Sequence, residues 1–107
     1  MNAPQRTDLT PAEVKKRLDE KSVLLIDVRE QDEYDNEHIE GSILLPLSRF
    51  APHSVPAPAD NQIIVFLCAA GIRSAMAVAH CLQAGSAHNA HMEGGMQAWK
   101  RAGLPTI

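Results

Sequence analysis

The run Ile63-Ile64-Val65-Phe66-Leu67 constrains this chain more than any other feature. Five apolar residues in a row, with no polar alternation, read as a strand buried on both faces. A second run, Val23-Leu24-Leu25-Ile26, has the same character and ends in the charged group Asp27-Val28-Arg29-Glu30. Strands of this kind need helices above and below them. The expected fold class is therefore α/β, with a mostly parallel sheet covered by helices on both faces.

The segments between the runs supply those helices. Thr10-Pro11-Ala12-Glu13 is a capping-box start, and it predicts a helix to about Glu20 with Val14 and Leu18 on its buried stripe. Glu30 to Glu37 is polar around Tyr34 and supports a short helix at best. Gly41 to Pro46 reads as a short strand stopped by proline. Leu47 to Asp60, with prolines at 52, 56 and 58, predicts a helical turn and an irregular loop. The alanine-rich stretch from Ser74 to about Gln83 predicts a helix closed by Gly85. Ala87 to Met92 is a candidate last strand, Gly94-Gly95 a tight turn, and Met96 to Arg101 a terminal helix carrying Trp99.

All of this fits one domain over residues 1–107, with a core from about 8 to 105. The hydrophobic fraction is 45% but aromatics are only 4%, so the core must be aliphatic and alanine-rich. A formal charge of −3 offers no broad attraction for nucleic acid or an anionic membrane. An anionic substrate must be held locally. No apolar stretch approaches the ~18 residues of a membrane span, and Met1 to Asp8 lacks the basic start and apolar run of a signal peptide. Two cysteines, Cys68 and Cys81, are too few for a disulfide framework and lack CxxC spacing, which suits a reducing, cytoplasmic setting.

The chemistry concentrates at the end of the strongest strand, in Cys68-Ala69-Ala70-Gly71-Ile72-Arg73-Ser74. A short glycine-containing loop between a buried strand and a helix turns backbone N–H groups inward as a nest, and the helix adds its positive dipole end. Thiolates are stabilised in such places. Arg73 adds charge if it points inward; it could equally face outward as an ordinary first-turn residue.

Taken together, these segments resemble the rhodanese family from about Thr10 to Pro105. Ile26-Asp27-Val28-Arg29-Glu30 looks like the family's first signature. Glu33-Tyr34, His38-Ile39-Glu40-Gly41-Ser42 and Pro46 look like its second, and Cys68 to Ser74 looks like its active loop. Glu93-Gly94-Gly95-Met96-Gln97-Ala98-Trp99 with Gly103-Leu104-Pro105 looks like its C-terminal signature.

The resemblance implies a five-stranded, mostly parallel sheet and a two-step sulfur transfer without metal or cofactor. Cys68 would take a sulfane sulfur from thiosulfate or another persulfide donor, then yield it to cyanide or a thiol. The N–H groups of Ala69, Ala70, Gly71, Ile72 and Arg73 would cradle the donor and the persulfide. Many rhodaneses carry a charged or hydrogen-bonding residue just after the cysteine. Ala69 and Ala70 stand there instead, so donor binding would rest on backbone N–H groups and Arg73. A protein could then be the natural donor or acceptor. Cysteine phosphatases and arsenate reductases share a cysteine-to-arginine loop, but theirs is one residue longer than the four between Cys68 and Arg73, which would leave this ring small for phosphate. A non-enzymatic persulfide carrier, or an interaction module on the same fold, is the alternative; inactive modules of the family tend to lose the cysteine that this chain keeps.

Other residues read as structural. Asp27 is expected to accept backbone hydrogen bonds or to pair with an arginine such as Arg29, ordering the loop together with Ser74. His38 fits a hydrogen-bonded structural role before a glycine turn. His88 and His91, three apart on a strand, should not share a face as metal ligands would. Cys81 lies on the order of 10 Å of helix beyond the loop and suits packing.

Overall fold

The computed structural model describes residues 5–107; the first four residues of the N-terminal stretch read above lie outside it. Five strands form one sheet: β1 (Thr7–Leu9), β2 (Val23–Asp27), β3 (Ile43–Leu44), β4 (Ile63–Leu67) and β5 (Ala90–Met92). Their spatial order is β1-β5-β4-β2-β3. Every pairing is parallel, with Val23 beside Ile63 and Asp27 beside Leu67. The strand read as the most buried, β4, is the central one.

Three α-helices connect strands, α1 (Pro11–Asp19), α2 (Gln31–Asn36) and α3 (Ile72–Gln83), and a fourth, α4 (Gly95–Arg101), follows β5. The capping box forms as expected: the Thr10 hydroxyl accepts from Glu13 N at 3.2 Å while the Glu13 carboxylate accepts from Thr10 N at 3.1 Å. Helix α3 starts at Ile72, two residues before the expected Ser74, and ends with Gly85 at φ +78°. The proline-rich stretch holds two 3-10 turns, Leu47–Arg49 and Pro52–Ser54.

Alternation along β4 divides the core between the two faces. Val65 and Leu67 join Val14 of α1 and Met96 and Trp99 of α4. Ile64 and Phe66 face the other way, onto Ala77, Val78 and Cys81 of α3, and Cys68 follows them on that side. Both faces are thus roofed, which is why the two long strands are apolar throughout save for Asp27 at the end of β2. Strand β1 is additional to the elements expected from the sequence, and β5 begins at Ala90, three residues after the expected Ala87. Among the described residues, no helix is long and apolar enough to cross a membrane.

Candidate functional site

Cys68 emerges from the C-terminal end of β4, where ligands gather in parallel α/β sheets. Its side chain is 1% exposed. Two backbone N–H groups converge on Sγ, from Gly71 at 3.0 Å and from Ser74 at 3.3 Å. The loop can turn this tightly because Gly71 adopts φ +103°, and a Cβ there would come within 3.3 Å of Gly94 N.

The loop is gripped from below by α4. Met96 N donates to Cys68 O at 2.8 Å and Gln97 N to Ala69 O at 3.0 Å. This grip requires glycine at 95, because a Cβ there would lie 2.3 Å from Cys68 O and 2.7 Å from Ala69 C and O. The expectation that Gly94-Gly95 lets backbone approach backbone has its geometry here.

Arg73 lies on the rim. Its two terminal nitrogens bind the Glu33 carboxylate at 2.7 and 2.9 Å, a forked pair that turns the guanidinium toward α2 instead of into the loop. That arginine, with the Glu30 N–H, holds the Glu33 carboxyl down at about 2. Of the loop's other members, Ala69 is half-buried, Ala70 and Ile72 are exposed, and Gly71 and Ser74 are buried. Ala69 also lines an open cleft of about 620 Å³ walled by Glu33, Glu37, Gln97 and Lys100.

Asp27 and Arg29 pair beneath the rim. Asp27, 0% exposed, accepts from Arg29 N at 3.0 Å and from its Nη2 at 2.8 Å. The same Nη2 donates to Glu37 O at 2.8 Å, so the pair ties the end of β2 to α2. His38 stacks on Tyr34, with ring centroids 3.9 Å apart, and bonds its carbonyl at 2.8 Å, away from the loop. Cys81 is buried against the sheet, where desolvation raises its thiol pKa. Both cysteines are free.

Behind the loop, Ser74, read from the sequence as a loop-ordering residue, meets His91, which in turn meets Asp8; the sequence did not single out either of these two for chemistry. Ser74 Oγ lies 3.5 Å from Cys68 Sγ and 2.8 Å from His91 Nδ1, and His91 Nε2 lies 3.0 Å from Asp8 Oδ1. The signal was a histidine between the apolar Ala90 and Met92, a position that spends a polar ring on a buried strand. His88, by contrast, is only half-buried.

The chain has relatives among known proteins. A protein named sulfurtransferase from Allochromatium vinosum is 32% identical, over 83% of this chain and 82% of its own. An uncharacterized protein of Synechocystis is 38% identical over the whole chain, which spans 60% of that protein's length. The crystal structure of a rhodanese-related protein from Thermoplasma volcanium superposes with a TM-score of 0.78 at 30% identity, covering 97% of this chain and 98% of that one. Residues 10–102 match the rhodanese-like domain, and the chain belongs to that family.

Proposed function

We propose that this chain is a sulfurtransferase that carries one sulfane sulfur on Cys68 as a persulfide. The observation that carries the reading is the convergence of Gly71 and Ser74 N–H groups on Cys68 Sγ, at 3.0 and 3.3 Å. Such donors stabilise a thiolate and then the anionic persulfide, because they are already aimed where the charge sits. The name of the Allochromatium relative supports the same chemistry.

With thiosulfate as donor, the Cys68 thiolate attacks the outer sulfur, a new S–S bond forms, the old one breaks and sulfite leaves with its electron pair. Cyanide or a thiolate then attacks the outer sulfur of the persulfide, and the Cys68 thiolate is released. The N–H groups of residues 69 to 73 are the donor's main hydrogen-bond partners in this reading. Arg73, committed to Glu33, contributes a nearby positive charge and fastens the rim. The cleft beside Ala69 carries both signs of charge and gives an acceptor its approach. Ile72 is 73% exposed and Met76 47%, an apolar pair beside the loop that supports a protein donor or acceptor. Reducing cytoplasmic conditions would keep both thiols free.

The test is intact-protein mass spectrometry after incubation with thiosulfate, with peptide mapping and an assay for thiocyanate once cyanide is added. One extra sulfur on Cys68, discharged by cyanide over repeated turnovers, is the expected result, and Cys68→Ser should abolish it. Loading without turnover on cyanide or small thiols would favour a persulfide carrier. Sulfur transfer that survives in Cys68→Ser would overturn the assignment.

A further inference from the structure

We propose that His91, acting through Ser74 and backed by Asp8, takes the proton from the Cys68 thiol and so sets the fraction of Cys68 that is nucleophilic. The proposal rests on the reading of Cys68 as the nucleophile. It follows from one continuous line of contacts: Cys68 Sγ to Ser74 Oγ at 3.5 Å, Ser74 Oγ to His91 Nδ1 at 2.8 Å, and His91 Nε2 to Asp8 Oδ1 at 3.0 Å.

The hydrogen positions follow from chemistry. Asp8 is an acceptor only, held ionised by Arg6, so His91 Nε2 must carry a hydrogen. Burial pushes the His91 pKa down, so its resting form is the neutral ring and Nδ1 is a bare acceptor. The Ser74 hydroxyl has one hydrogen and two candidate acceptors, His91 Nδ1 at 2.8 Å and Gly71 O at 3.2 Å, and the shorter contact takes it. The oxygen's remaining lone pair is then free to accept the Cys68 S–H.

From that arrangement one concerted shift produces the thiolate. The S–H bond of Cys68 breaks and its proton bonds to Ser74 Oγ. The original hydroxyl proton moves to His91 Nδ1, leaving serine neutral, the sulfur negative and the imidazole positive. Each hydrogen bond reverses direction without any heavy atom moving. The thiolate now accepts from Ser74 Oγ–H as well as from the Gly71 and Ser74 N–H groups. Asp8 and Glu93 favour the charge on His91, while burial and Arg6 oppose it. Burial outweighs the rest and keeps the ring neutral at rest; in the proposal, the charge that favours a proton on Nδ1 is the thiolate itself, in line through Ser74.

The test needs no sulfur donor. The rate at which iodoacetamide alkylates Cys68, located by peptide mapping, is measured near pH 7 and near pH 10, and the ratio of the two rates is compared between variants. A change in access or packing scales both rates, whereas a change in ionisation alters their ratio. His91→Phe and Ser74→Ala should lower the ratio about tenfold, the equivalent of about one pH unit. Ser74→Thr, which keeps the hydroxyl, should restore it. Asp8→Asn, on an exposed edge strand, should lower it about threefold and secures the test if His91→Phe fails to fold. Unchanged ratios in folded Asp8→Asn and Ser74→Ala proteins would overturn the proposal. A parent protein that alkylates as expected but never loads sulfur would refute the sulfurtransferase reading and leave this one standing.

Discussion

Replacing Gly95 by alanine isolates the contact that holds the Cys68 loop in place. The new Cβ would sit 2.3 Å from Cys68 O and 2.7 Å from Ala69 C and O, all backbone atoms that no rotamer change can clear. Relief therefore requires α4 and the loop to part. That breaks the bonds from Met96 N and Gln97 N, each contributing about 0.5–1.5 kcal/mol. The left-handed conformation at φ +56° costs alanine a further ~1 kcal/mol or more. The sum is about 2–4 kcal/mol. Gly103→Ala is the internal control: φ is +74° but nothing lies within 4 Å, so only the conformational cost of about 1 kcal/mol applies. At roughly 4 °C per kcal/mol for a domain of this size, thermal unfolding should fall about 8–16 °C for Gly95→Ala and about 4 °C for the control. Sulfur loading of Cys68 should slow only in the former. If the two variants melt at the same temperature, close approach of α4 is not what fixes the loop.

Asp27→Ala would strand the buried Arg29 charge and should lower unfolding stability in urea by about 3–5 kcal/mol. Cys81→Ala should cost about 1 kcal/mol through lost packing on α3 and leave sulfur loading of Cys68 unchanged. The Glu33–Arg73 pair gives a pH signature. The folded-state pKa of Glu33 is depressed to about 2, so its contribution is present above the usual carboxylate range and lost as pH falls toward that value. Because both side chains are 32% exposed, screening holds the effect to about 1 kcal/mol; wild type should exceed Glu33→Gln by that much at neutral pH in chemical denaturation, with the gap closing near pH 2.

The central sheet was legible because β2 and β4 are hydrophobic on both faces, a pattern that few folds accommodate. The loop was legible because Cys68, Gly71 and Ser74 follow such a strand directly, and local chemistry determines what a strand-loop-helix junction can hold. Strand β1 was not, since Thr7, Asp8 and Leu9 form a mostly exposed edge whose strand character comes only from pairing with β5. Arg73 was ambiguous for a related reason. Its direction is set by Glu33, 40 residues away, and no spacing rule reaches that far. His91 was read through alternation, which says which residues share a face but not what faces them; Ser74 comes opposite only because β5 lies beside β4.

The sheet order also governs when the site is completed during synthesis. Strands β2, β3 and β4 are adjacent in space and follow one another along the chain, so they can begin to associate while its later part is still being made. The Asp8–His91 contact joins residues 83 apart, and closing so long a loop costs more chain entropy than closing a shorter one. On the ribosome, β1 must wait for β5 to emerge before it has any strand to pair with. The nascent chain therefore exposes Cys68 and its loop before His91 and Asp8 are in place behind them, and before α4, the last element to emerge, can hold the loop through Met96 and Gln97.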